Sequence, residues 1–172
     1  MNLKNTIVLG IMAVLGFTIV SHEMNVSMLN HQNLKVSQEM TKEAILKKYK
    51  GAKHLTQAQL KELLHTVGFK GHGLKMAWSV AMAESGGRPL AQNQSRRTGD
   101  SSYGLFQINM IGDLGPTRRE QFNLKTNSEL LDPVRNAQVA FYMSGHGTNW
   151  IAWKNGKTPR AKEFLTQYKN VI

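Results

Sequence analysis

The sequence predicts an α+β fold that is mainly helical, with a small strand-bearing insert after the helix that ends near Glu84. Three observations carry that expectation. Apolar residues recur at helical spacing in several segments that open on capping signals and close on glycine. One stretch rich in Gly, Asn and Ser, 86–102, has loop composition, and Tyr103–Met110 after it reads as a short strand or extended segment carrying Phe106 and Ile108. No internal repeat interrupts this order.

A chain of 172 residues has room for one compact domain plus an N-terminal appendage. Its 41% hydrophobic content supplies a real core, and its mean hydropathy of -0.36 argues against a polytopic membrane protein. There are no cysteines, so disulfides, thiolate metal sites and thiol nucleophiles are excluded. The formal net charge is +11, from 22 Lys+Arg against 11 Asp+Glu, and attracts polyanions: nucleic acid, anionic lipid or anionic wall polymers. The basic residues are scattered, as in Lys47-Lys48, Arg96-Arg97 and Arg118-Arg119, and no nucleic-acid motif surrounds them, so no specific nucleic-acid partner is expected.

Taken in order, residues 1–21 read as a signal peptide or N-terminal membrane anchor. Ile7–Val20 is uncharged, follows Lys4 and precedes Ser21-His22-Glu23, but is shorter than the ~20 residues of a comfortable span. Export, to the periplasm, envelope or extracellular space, and transient membrane association through the N-terminus follow as expectations. Residues 22–53 read as a polar linker (His22–Ser37, Asn-rich and without a clear period) and an accessory helix (Ser37–Lys50) stopped by Gly51. Residues 54–172 hold the main domain. Its first helix opens at Thr56, where Thr56 and Gln59 form a capping box, Leu55 and Leu60 a hydrophobic staple, and Gly68 the stop. The next runs from about Leu74 to Glu84. Asp132-Pro133 starts another, with Val134, Ala137, Ala140 and Phe141 as its apolar stripe and Gly145 as its stop. A last amphipathic helix, about Pro159–Tyr168, carries Phe164 and Leu165.

Glu84 is the residue that carries chemistry. In Ala81-Met82-Ala83-Glu84-Ser85-Gly86-Gly87 it ends an apolar stripe that includes Ala81, Val80 and Ala77. Burial against such a stripe favours the protonated carboxyl, the form a general acid needs. A plainer reading, a glutamate that ends a helix and points to water, stands beside it.

Ala83-Glu84-Ser85-Gly86-Gly87, then Ser102-Tyr103-Gly104-Leu105-Phe106-Gln107-Ile108-Asn109, then Asn149-Trp150-Ile151-Ala152-Trp153 resemble the lysozyme superfamily. They most resemble the soluble lytic transglycosylase (SLT-type) domains of bacterial and phage cell-wall lytic proteins, and the segment Leu131–Ala137 also fits. The likeness covers roughly Leu55–Tyr168 in order. It implies a lysozyme-like fold and a cleft acting on the β-1,4 bond between N-acetylmuramic acid and N-acetylglucosamine in peptidoglycan glycan strands, without metal or cofactor. Glu84 lands on the family's catalytic acid, and Gln107 and Asn109 on sugar-contacting residues. Ser102 and Tyr103 land at the cleft's edge, and Trp150, beside Asn149, resembles the Trp that walls the acid's pocket in animal-type lysozymes. For Trp153, plain core packing is an equal reading.

Glycosidases usually employ two carboxylates, about 5–5.5 Å apart in retaining enzymes. Where animal-type lysozymes place an Asp before the Tyr-Gly segment this chain has Ser102, with Asp100 two residues earlier, ~6.6 Å along an extended chain. A loop can restore that distance, so Asp100 is the candidate second carboxylate. Asp132 reads as a helix cap, and Asp113, Glu120 and Glu129 as surface loop charges. A single acid suits a lytic transglycosylase yielding 1,6-anhydromuramyl products. A hydrolytic lysozyme using Asp100 and a non-catalytic wall-binding or assembly protein are the alternatives. The six His residues show no His-Glu-x-x-His spacing, so no metal site is expected.

Overall fold

The computed structural model describes residues 3–95, 100–153 and 158–171, with side chains from Glu23 onward apart from 158–159. The apolar side chains of Ile7–Val20, on which the signal or anchor reading rests, and the pair Arg96-Arg97 lie outside the described residues. Two compact units emerge, Met1–Glu43 and Ala44–Ile172.

The first unit is the bulk of α1 (Leu3–Tyr49). The stretch His22–Ser37, read from sequence as linker, is helical and continuous with the accessory helix. No Gly or Pro occurs between Phe17 and Lys50, so nothing in that span breaks the backbone, and the Asn residues weaken the helix without stopping it. From Glu23 to Ala44 every side chain is exposed.

The second unit begins at Ala44 rather than at 54, because the last turn of α1 carries core residues. Tyr49 is buried, and its hydroxyl donates to Glu62 on α2 (Gln57–Val67), which also pairs with Lys48 Nζ at 3.0 Å. The predicted capping box opens α2: Thr56 Oγ1 accepts from Gln59 N at 3.2 Å, and Gln59 Oε1 from Thr56 N at 2.8 Å. Leu60, Leu63 and Leu64 are buried from it. Helix α3 (Gly71–Ser85) starts three residues earlier than its apolar pattern suggests and buries Ala77, Trp78, Val80 and Ala81. It packs against α2 and against α6 (Thr158–Gln167), whose Phe164 meets the Trp78 ring edge-on at 6.4 Å.

Tyr103–Met110, expected as one extended segment, is a hairpin. Strands β1 (Gln92–Asn93), β2 (Ser102–Tyr103) and β3 (Ile108–Asn109) form an antiparallel sheet in that order, with Tyr103 opposite both Gln92 and Ile108. The chain reverses through Gly104 (φ 74°) and Gln107 (φ 46°). A Cβ on Gly104 would lie 2.2 Å from the Leu130 carbonyl oxygen and 2.3 Å from Asn136 Nδ2, so only glycine fits.

Helix α4 (Leu114–Gln121) and a 3-10 turn at Asn127–Leu131 fall where only surface loop was expected. Helix α4 buries only Gly115 and so has no apolar stripe to read. Glu129 is not an idle surface charge: its Oε1 accepts from the amides of Thr126 at 3.1 Å and Lys125 at 2.6 Å. Helix α5 (Pro133–Met143) opens as predicted, with Asp132 Oδ1 accepting from Arg135 N at 3.0 Å. Asp132 has a second duty, since its Oδ2 accepts from Gly51 N at 2.7 Å and fastens the chain after α1. Asn136, inside the apolar stripe of α5, is fully buried. Its Nδ2 donates to Tyr103 O at 2.9 Å and Leu130 O at 2.8 Å, and its Oδ1 accepts from Phe106 N at 2.9 Å.

Two predictions follow from these contacts. Asn136→Leu leaves three buried backbone groups unpaired at about 1–3 kcal/mol each, so the urea midpoint should fall by the equivalent of at least ~3 kcal/mol. An unchanged midpoint would remove the clamp from this account. The bonds from Tyr49 and then Lys48 hold the Glu62 carboxyl below its ordinary value of 4.5. A depressed carboxylate stabilises the fold above its unfolded value and ceases to do so as pH falls through the lower folded value. Acid unfolding of the native chain should therefore contain a component below about pH 4.5 that Glu62→Gln lacks.

Candidate active site

The site is built at the C-terminal end of α3. Apolar spacing buries Ala81 and Ala83, and Gly86 in the left-handed conformation (φ 65°) ends the helix. The amides of Gly86 and Gly87 donate to Met82 O at 2.9 Å and Ala81 O at 3.3 Å, and Arg88 Nε donates to Ser85 O at 2.8 Å. These bonds hold Glu84, half-buried, in the last turn.

Ser85 joins this helix end to the sheet. Its buried hydroxyl lies 3.0 Å from Ala81 O and 2.8 Å from Leu105 O, within donating reach of both. The hairpin turn that contains Leu105 is thereby fixed to the residue after Glu84.

The sheet gathers most of the sequence-predicted residues. Asp100 Oδ1 accepts from Ser102 Oγ at 2.6 Å, Asp100 Oδ2 accepts from Asn93 Nδ2, and Asp100 N donates to Ser95 O at 3.1 Å. Asp100 thus ties β1 to β2, and the buried Ser102 hydroxyl is engaged with it. The Tyr103 hydroxyl receives Gln94 Nε2 at 3.1 Å and lies 3.4 Å from Ser101 Oγ. The bond with Ser101, more than that with Gln94, draws the phenol below its ordinary value of 10.0 against the opposing effect of burial. Gln107 Nε2 donates to Ala91 O and Gly104 O, both at 3.0 Å, so its amide nitrogen holds the turn. Asn109 Oδ1 accepts from Ile111 N at 2.9 Å.

Trp150 and Asn149 arrive from the far side of α5. The Trp150 ring stacks on Phe69 at 6.0 Å and Phe106 at 6.5 Å, and its Nε1 donates to Gly147 O at 3.2 Å. Phe106 belongs to the hairpin turn, which links Trp150 to the sheet. Trp153 is buried, as the packing reading had it, and its Nε1 donates to Phe106 O at 2.8 Å. Asn149 is exposed, and its Oδ1 accepts from Ile151 N at 3.0 Å, which starts the 3-10 turn Ile151–Trp153.

Sequence reading missed three participants. Ser85 was quoted in a motif without a role. Asn136 carried one signal, an amide inside an apolar stripe. Arg118 carried none: its guanidinium is half-buried, donates to Asn109 O, and is pushed below its ordinary value by burial. Among the described residues no group of three His, Asp or Glu side chains could hold a metal ion.

A family model described as a lysozyme-like domain matches residues 61–155, a span that contains Glu84, the whole sheet, α5 and Trp150. The chain belongs to that family. No curated protein and no solved structure matches the chain significantly. The lysozyme-like domain takes peptidoglycan as its substrate class and the glycosidic bond as its point of attack.

Ser85→Ala removes the donor to a buried carbonyl between the acid's helix and the hairpin. It should cost about 1–3 kcal/mol of stability and lower the rate of peptidoglycan cleavage, read as a fall in melting temperature together with slower wall clearing. Unchanged melting and clearing would show that the bond positions nothing.

Proposed function

We propose that the chain is a peptidoglycan lytic transglycosylase in which Glu84 acts first as acid and then as base. One observation carries this reading: both oxygens of the candidate second carboxylate, Asp100, accept hydrogen bonds from its own sheet. A carboxylate so engaged gives up those bonds to attack an anomeric carbon, whereas a one-acid reaction leaves them in place.

The glycosidic oxygen between N-acetylmuramic acid and N-acetylglucosamine takes the Glu84 proton as the C–O bond breaks. The substrate's N-acetyl group shares the positive charge at the anomeric carbon. Glu84, now a carboxylate, takes the proton of the muramyl 6-hydroxyl as its oxygen bonds to that carbon and closes the 1,6-anhydro ring. Water in place of that hydroxyl gives hydrolysis, so excluding water is the task that separates the two outcomes. Gln107, Asn109, Asn149 and Trp150, part-buried or exposed, supply the surface that meets the glycan, while Ser102 and Tyr103 are buried in the strand that carries it. The uncharged run after Lys4 supports export, and the net charge of +11 supports retention on anionic wall polymers.

The test is digestion of purified peptidoglycan by the full chain, by Glu84→Gln and by Asp100→Asn, with product ends identified by mass spectrometry. Anhydromuramyl ends are expected from the native chain and from Asp100→Asn, with cleavage reduced about 10²-fold or more in Glu84→Gln. Reducing muramic acid ends that vanish in Asp100→Asn would assign a hydrolytic lysozyme with Asp100 as second carboxylate. No cleavage by a folded native chain on several wall types would favour a wall-binding or assembly protein.

A further inference from the structure

We infer that the exposed helix Glu23–Glu43 is a self-association segment, through which two copies of this chain pair as a parallel two-stranded coiled coil. The stretch projects seven exposed large apolar side chains, which is unusual for a helix with no partner. Four of them, Val26 (43% exposed), Leu29 (58%), Val36 (59%) and Met40 (67%), fall with Asn33 at steps of three, four, three and four. That 3.5-residue repeat is the seam of a left-handed coiled coil. At 100° per residue these five positions span about 80° of the helix circumference. No charged residue lies among them. Glu43, at the next seam step after Met40, ends the apolar stripe, Glu23 lies beside its start, and Lys35 and Lys42 sit on the opposite side. Met24, Met28 and Leu34 are scattered off the stripe and contribute no second face.

Two features identify the occupant as a second copy. The first is charge. Residues 23–43 hold Lys35 and Lys42 against Glu23, Glu39 and Glu43, a balance of 2 − 3 = −1 in a chain of net +11. A helix that lies on anionic lipid is rich in Lys and Arg on its polar face, whereas here the two lysines are outnumbered by three glutamates. Two strongly basic chains repel each other elsewhere, whereas the seam from Val26 to Met40 carries no charge. The second is Asn33. An amide in the middle of an apolar seam is costly against lipid or an apolar groove, and is satisfied by an identical amide across a symmetric seam. In parallel register Asn33 faces Asn33, which sets the direction. Pairing brings two lysozyme-like domains into one assembly.

The native chain has no cysteine, so single substitutions report contacts cleanly. The full chain in mild detergent carries one cysteine at Val26, Leu29, Asn33, Val36 or Met40, or off the stripe at Ser27, Lys35 or Gln38. After mild oxidation, disulfide dimers are read on non-reducing gels. Stripe positions should cross-link at least about ten-fold more than off-stripe positions, in step with the heptad. Mixing Val26→Cys with Met40→Cys chains should give no cross-link between the two kinds, while each links to itself. Adding Val36→Glu to Leu29→Cys should abolish cross-linking while the circular dichroism stays unchanged. Equal cross-linking on all faces, or none on the stripe, overturns the pairing. A Val26–Met40 cross-link overturns the parallel direction. None of these readouts depends on wall cleavage, so the proposal stands or falls apart from the enzymatic assignment.

Discussion

The buried amide of Asn136 is the constraint on which the site depends. Strands of two residues are too short to hold a hairpin by their own ladder. Asn136 supplies what the ladder lacks, reaching from α5 to accept from Phe106 N and donate to Tyr103 O and Leu130 O. Each bond contributes about 1 kcal/mol net, and the larger effect is that leaving any of these groups unpaired in the core costs about 1–3 kcal/mol. The hairpin therefore has one low-energy placement. Gly104 is the price of that closeness, since any side chain there would occupy the space of the amide itself.

From that clamp the constraint spreads in two directions. Toward Glu84 it passes through the Leu105 carbonyl to the Ser85 hydroxyl, which joins the end of α3 to the hairpin turn. Toward the C-terminal side it passes through Phe106, whose ring packs with Phe69 at 6.3 Å and Trp153 at 6.0 Å and whose carbonyl accepts from Trp153. Trp150 stacks on the same ring. The end of the Glu84 helix and the Trp150 and Trp153 rings are thereby tied to one three-residue turn, Leu105–Gln107.

The positive charge is used in an unexpected way. Arg88, Arg118 and Arg135 donate to backbone carbonyls, and Lys48 pairs with Glu62. The net charge of +11 gives the chain a field that attracts polyanions.

The sequence by itself determined the helical scaffold and the family, and it singled out Glu84 as the candidate acid. Thr56–Gln59 and Asp132-Pro133 are local signals, complete within four residues, and they appear as read. The ordered motifs around Glu84, Tyr103 and Trp150 located the family before any geometry was known. His22–Ser37, which reads as a polar linker without a clear period, is helical because no helix breaker stands in it. Helix α4 was illegible because it buries almost nothing. What only the tertiary structure decided is how the pieces are joined: the pairing of Ser85 with Leu105, of Asp100 with Asn93, and of Asn136 with three carbonyl and amide groups up to 33 residues away. Such bonds arise between residues that share no period and no motif. A side-chain amide has the same letter whether it faces water or closes a core, and its partners are chosen only when the chain folds back upon it.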